Sequence, residues 1–220
     1  MYDFRFDVVW EYLPYLMEGV WITMFVTLAS TAIGLVLGVV IAVMRLSKNP
    51  FLSFPTRGFI EFFRNTPTLV KLVWVFYLIP ILIGLQTDAI TSCIIALAIS
   101  AGAYIAEVFR GGIQDVPRGD IEAAMAIGMR PATVLRRIIL PQALRKVLPP
   151  LANTFIIFLK YSSLVSVVGV SDLTYRANVI STTTFRPIEA YTVLALFYFV
   201  LCYGLSRLFR VVEHRMAVDV

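Results

Sequence analysis

Lys160 sits well inside an apolar run, preceded by Leu159 and followed by the hydroxyl-bearing Tyr161, Ser162 and Ser163. Asn153 lies seven residues earlier, about two helical turns, and so falls on nearly the same face. An ammonium, an amide and hydroxyls along one apolar helix can hold a zwitterion or a carboxylate away from bulk water. Ionisable groups at membrane depth are expensive and usually mark a pathway. The bland use of Lys160 is to snorkel or to pair with a structural carboxylate. A second polar group, Arg64, Asn65 and Thr66, precedes Pro67. There a broken helix end would expose backbone groups able to meet a solute, or the same side chains could serve as an interfacial anchor. Glu107 and Arg110 have helical ion-pair spacing and read as a structural brace. Bond-breaking chemistry finds little support. The chain has one histidine, His214, and two cysteines, Cys93 and Cys202, both within apolar runs. No metal cluster and no catalytic dyad can be assembled from them. No catalytic residue, metal site or bound cofactor is expected, and a G-x4-G-K-[ST] phosphate loop is absent from the sequence.

The elements that must carry these residues are membrane spans. Of 220 residues, 59% are hydrophobic, against about half at most in soluble domains. The apolar runs approach the roughly 20 residues that a helix needs to cross a bilayer. The spacing predicts about five transmembrane helices, near Val20–Met44, Leu72–Leu85, Ala89–Val108, Leu151–Val170 and Glu189–Phe209, with a turn at Gln86–Asp88. Gly34, Gly38 and Ala42 form one stripe of small residues, and Ala98, Gly102 and Ala106 another, as closely packed helices require. Pro149 and Pro150 are expected at the start of the fourth span, and Ser171–Ile188 reads as a polar connection. The fold class is therefore all-α integral membrane, with 1–220 as a single transmembrane domain.

Although the formal charge is +5, its distribution excludes nucleic acid as the partner. Arg45, Lys48 and Arg57, the run from Arg110 to Lys146, and Arg207, Arg210 and Arg215 fall on one side. Arg5, Arg176 and Arg186 fall on the other. The positive-inside rule places the larger set in the cytoplasm, the N-terminus outside and the C-terminus inside. Asp3, Asp7, Glu11 and Glu18 ahead of the first span argue against a cleaved signal peptide.

This orientation makes residues 110–147 a long cytoplasmic loop between the third and fourth helices. Within it, Asp120–Pro141 reads as two short helices. Asp120 is placed to cap the first, Gly128 to end it in a left-handed turn, Pro131 to open the second and Pro141 to close it. Ile121, Ala124, Met125 and Gly128 give the first helix a narrow face of small and apolar residues.

The pattern E-A-A-x3-G-x9-I-x-L-P at Glu122, Ala123, Ala124, Gly128, Ile138, Leu140 and Pro141 resembles the signature of the membrane subunits of bacterial ABC importers. F-F-R-N-T-P at 62–67, Y-I-A-E-V-F-R-G-G-I-Q at 104–114, L-P-Q-A-L-R-K-V-L-P-P at 140–150 and S-L-V-S-V-V-G-V at 163–170 are similar to the polar amino acid uptake family. The likeness extends over about 19–210. The resemblance implies a permease subunit of the bacterial cytoplasmic (inner) membrane, pairing with a second permease. Two copies of a cytoplasmic ATPase would bind ATP and Mg, and a periplasmic or lipid-anchored binding protein would deliver a polar amino acid. The E-A-A loop would be the coupling helix that fits a cleft on the ATPase. Many members of the family carry an acidic residue where this chain has Tyr161, and often another near Thr154. Their lack here favours a neutral or acidic substrate, or a zwitterionic amino-acid derivative, over a cationic one. The opening M-Y-D-F through L-P-Y-L is similar to one partner of two-permease acidic amino acid systems, which favours a heterodimer. The competing reading is a stand-alone ion-coupled carrier, for which acidic residues within spans and an internal repeat would be expected.

Overall fold

The computed structural model describes residues 2–84 and 87–217. All regular structure among the described residues is helical. The elements are α1 (Asp7–Trp10), α2 (Leu13–Leu46), α3 (Pro50–Asn65), α4 (Thr68–Ile83), α5 (Ala89–Gln114), α6 (Arg118–Ala126), α7 (Pro131–Val134), α8 (Leu140–Tyr161), α9 (Leu173–Thr184) and α10 (Pro187–Ala217). A π-helical turn, Leu135–Ile139, joins α7 to α8, and a 3-10 segment, Ser162–Val168, extends α8. Among the described residues, four stretches are long and apolar enough to span: Leu13–Leu46, Ala89–Gln114, Pro131–Val168 and Pro187–Glu213. A fifth is gained if α3 and α4, bent by 109° at their junction, count as one broken span.

The seam between α2 and α5 is the centre of the bundle, and both small-residue stripes meet there. A Cβ added at Gly34 would lie 2.5 Å from the Cβ of Ala101 and 3.1 Å from the carbonyl oxygen of Ala98. At Gly38 it would lie 2.6 Å from Cγ2 of Ile105. Removing side chains at these turns lets the two backbones approach, which is how helices associate where burial from water is no longer the drive. Ala42, Ile60 and Ala106 continue the contact at the end of α2 and bring α3 across it. Beside the seam, Val26, Leu72, Leu97, Ala101, Ile105 and Phe158 form the main core.

Hydroxyls buried within α2 do not conflict with an apolar setting. Thr27 donates to the carbonyl of Thr23 at 2.7 Å and Thr31 to that of Thr27 at 2.6 Å, so each polar group is satisfied inside its own helix. Thr23 Oγ1 also accepts from the backbone N–H of Leu173 at 3.1 Å, fixing the start of α9 against α2.

Several sequence expectations are revised. The connection at 171–188 contains a packed helix, α9, rather than a polar loop. Leu173, Ala177 and Ile180, spaced as one helical face, join Val9, Leu16 and Ala190 in a second core. The buried Arg176 is held by Glu18 at 2.6 Å and the carbonyl of Tyr15 at 2.9 Å, with its guanidinium 4.4 Å over the Tyr15 ring. Asp172 caps α9 by accepting from Tyr175 N–H at 2.8 Å. Its other oxygen is buried and has no partner among the described residues. Burial pushes this carboxyl up to about 6. Pro149 and Pro150 lie inside α8 rather than at its start, and the first span is longer than its apolar run, beginning at Leu13. Leu85 and Gln86, part of the expected second span and following turn, lie outside the described residues.

Candidate functional site

The 118–141 stretch is built from the chain upward as a projection tied by side chains to the base of α8. Its first helix starts at Arg118, two residues before Asp120. Asp120 is therefore in the first turn and does not cap. Its carboxylate instead accepts from the Gln142 side chain at 2.9 Å, tying α6 to the base of α8. Lys146 adds a second tie, with Nζ on the carbonyl of Asp115 and 3.1 Å from its carboxylate.

Gly128 ends α6 as its residue type requires. Its φ is +82°. Gly128 N–H donates to the carbonyl of Met125 at 3.0 Å and Met129 N–H to that of Ala124 at 3.1 Å. These are the two bonds of a Schellman stop, which favours glycine because a side chain disfavours left-handed backbone. Pro131 opens α7 as expected.

Pro141 does not close the second helix. The chain runs from α7 through the π turn into α8. Pro141 lies in the first turn of α8 after that wider turn, where its missing N–H removes the least hydrogen bonding. The connection from α7 onward is thus an extension of a spanning helix. Ala124 is buried, which turns part of the expected apolar face of α6 inward, and Val134 at the end of α7 is buried as well. Glu122 and Ala123 are exposed, as are Met125 at 51% and Ile127 at 80%. Ile138 is half-buried, and Leu140 and Pro141 are exposed.

Among the residues along α8, Asn153 and Lys160 are both exposed on one face. Lys160 makes no ion pair among the described residues. The serines are used locally where α-helix tightens to 3-10. Ser162 is fully buried and donates to the carbonyl of Leu159 at 2.7 Å, and Ser163 donates to that of Lys160 at 2.7 Å. Ser162 therefore does not reach the exposed face. Thr66 likewise bonds the carbonyl of Phe62 at 2.7 Å, while Arg64 and Asn65 are exposed.

One residue missed by sequence reasoning connects the two groups. Tyr104 on α5 lies under the Arg64 guanidinium at 5.7 Å and packs edge-on against Phe158 at 5.8 Å, which in turn packs against Tyr161 at 5.4 Å. The only advance signal was its place at the head of the 104–114 motif. Glu107 pairs with Arg110, as the spacing predicts, and approaches Arg64 to 3.9 Å. No metal-ligating cluster occurs among the described residues.

The chain is thus a helical membrane bundle with a partly apolar projection that runs on into a spanning helix. Residues 34–218 match the model of the family described as binding-protein-dependent transport system inner membrane component. The chain is 34% identical over 217 residues, 98% of its length and 99% of the relative's, to the glutamine transport system permease protein GlnP of Escherichia coli (strain K12). It is 35% identical to the octopine transport system permease protein OccM of Rhizobium meliloti, with 93% of this chain and 87% of that one covered. The fold superposes on a crystal structure of an amino acid ABC transporter with histidines at a TM-score of 0.92 and 37% identity, covering 97% of this chain and 100% of that one. The chain belongs to the family of binding-protein-dependent transport system inner membrane components, as a permease subunit of an amino acid ABC importer.

Proposed function

We propose that residues 118–141 dock on a separate cytoplasmic ATPase and drive α8, and that the exposed face of α8 borders the route of a polar amino acid. The observation that carries this reading is the continuity of α7, the π turn and α8 beneath a tip exposing Met125 and Ile127. A small apolar helix tip can enter a groove, and rigid connection makes groove closure a movement of the span. Glu122, Ala123, Ala124, Gly128, Ile138, Leu140 and Pro141 form the coupling element. In this reading the N-terminus is outside and the C-terminus inside, in keeping with the distribution of Lys and Arg. ATP and Mg are bound by the ATPase, two copies per transporter, and a second, non-identical permease completes the pathway. A binding protein on the other side delivers the substrate.

Lys160 and Asn153, with Tyr161 and Ser163 nearby, meet the substrate's carboxylate, and Arg64, Asn65 and Thr66 border the same route near Tyr104. A free ammonium on that face, without an acidic neighbour at position 161, favours a neutral or acidic amino acid or a related zwitterion over a cationic one. Relatives named for glutamine and for octopine transport support a polar amino acid or derivative. Another relative, ArtQ of Bacillus subtilis (strain 168), 31% identical over 93% of both chains, is named for arginine transport, so cationic amino acids are the competitors that test the substrate class. The test is uptake into vesicles by the purified complex, competed with neutral, acidic and cationic amino acids. Uptake is expected to require ATP and the ATPase, and to be competed by neutral or acidic amino acids. Uptake by this chain alone on an ion gradient would overturn the importer mechanism, and preference for arginine or lysine would overturn the substrate class.

A further inference from the structure

At the end of the bundle that carries the 118–141 projection, α2, α3 and α5 line a half-open polar cavity of about 300 Å³. Its charged lining is Arg45, Arg57, Glu61, Arg64, Glu107 and Arg110. Four guanidiniums share two carboxylates. Arg57 pairs with Glu61 at 2.7 Å, while Arg110 and Arg64 both address Glu107. Arg45, half-buried, forms no ion pair among the described residues. The cavity therefore carries a surplus of positive charge and is open to its surroundings, the Arg57 and Glu61 side chains being 61% and 58% exposed. Guanidiniums in this arrangement match the oxygens of a phosphate better than any neutral ligand.

The position of α3 identifies the source of such a phosphate. The helix turns 109° into α4 and packs Ile60 across the ends of α2 and α5. Phe51, Phe54 and Phe62 recur along it at helical spacing and are 86%, 79% and 56% exposed. An amphipathic helix with aromatic side chains outward and arginines beside them is built to lie in a membrane interface. A basic pocket between spanning helices at that level is a headgroup site.

We propose that the α2–α3–α5 cavity binds the phosphate of an anionic phospholipid, with Arg45 and Arg57 as its principal ligands and the acyl chains running past the aromatic face of α3. The leaflet concerned follows from the orientation given above; binding itself does not depend on coupling or transport. The test titrates the purified full-length chain in detergent with phosphatidylglycerol, phosphatidylethanolamine or inorganic phosphate, reading retained lipid by native mass spectrometry and thermal stability in parallel. Phosphatidylglycerol is expected to be retained and stabilising, phosphatidylethanolamine and millimolar inorganic phosphate not. Each guanidinium removed is expected to weaken retention about fivefold, so Arg45→Gln with Arg57→Gln loses about twenty-five-fold. The matched control Arg136→Gln with Arg137→Gln removes the same charge from the projection and should retain the lipid. Arg45→Lys with Arg57→Lys keeps the charge and reports any folding defect separately. Equal retention by the Gln pair, equal loss in the control, or equal stabilisation by inorganic phosphate would each overturn the proposal. ATPase co-purification that persists in the Gln pair separates failure here from failure of the coupling reading.

Discussion

Substitution at Gly128 separates backbone geometry from side-chain volume at the tip of the projection. The residue has φ +82°, and nothing lies within 4 Å of a Cβ built on it. Added atoms therefore meet no part of the chain, and the penalty is conformational. A left-handed L-residue costs about 1–2 kcal/mol, less than that for asparagine, whose side chain tolerates the region, and most for β-branched residues. Taking about 0.5 kcal/mol for Asn, about 1 for Ala and about 2 for Val, the Schellman turn loses population roughly twofold, fivefold and thirtyfold. Because Gly128 is exposed, the strain can be relieved by opening the turn rather than the bundle. The thermal midpoint of the permease should then move little while docking weakens. The assay is the affinity of the co-purifying ATPase for the Asn, Ala and Val variants in detergent, beside the thermal midpoint of each permease. A graded loss in the order Asn, Ala, Val supports the mechanism. Wild-type affinity in Gly128→Val would refute it, and so would equal loss in all three, which would point to steric exclusion at the ATPase surface.

Other outcomes follow from the bundle. Gly38→Leu, whose Cβ alone would meet Ile105 Cγ2 at 2.6 Å, should cost at least the 1–3 kcal/mol typical of overpacking. Thermal stability and folded yield should fall, whereas Gly204→Ala on α10, with open space around it, should be neutral or slightly stabilising. Arg176→Ala leaves the carbonyls of Tyr15 and Ser171 without their donor in a buried site. It should lower stability by about 2–3 kcal/mol, whereas Glu18→Ala, whose side chain is 69% exposed, should cost under about 1 kcal/mol; comparison of thermal midpoints decides. With the Asp172 carboxyl pushed up to about 6 by burial, the folded state holds a proton that the unfolded chain releases near pH 4. Stability should therefore fall as pH rises from about 4 to about 6 and level off above, by roughly 3 kcal/mol for this group. Asp172→Asn keeps an oxygen for Tyr175 N–H and should flatten that slope, with a midpoint at pH 7 no lower than wild type; an unchanged slope would exclude Asp172 as its source.

Features that depend on short stretches of chain were legible before the fold. Run length and apolarity defined the spans, because crossing hydrocarbon is a local requirement on composition. The Gly34–Gly38 and Ala98–Gly102 stripes announced close packing, and Gly128 announced its turn, because glycine substitutes for geometry that other residues resist. Prolines were harder to read. Pro141, Pro149 and Pro150 all lie inside a continuous helix, since packing and a π turn can absorb the missing hydrogen bonds that end an isolated helix. Polarity misled at 171–188, where Arg176 is buried by partners about 160 positions away in the chain.

The sequence by itself determined a helical membrane protein with a signature-bearing projection, because hydropathy and turn chemistry act over a few residues at a time. Which stripe faces which, that Tyr104 joins Arg64 to the α8 aromatics, and that four arginines from three helices ring one cavity were decided by tertiary structure. Each is a meeting of distant segments, and no local rule of spacing specifies the partner.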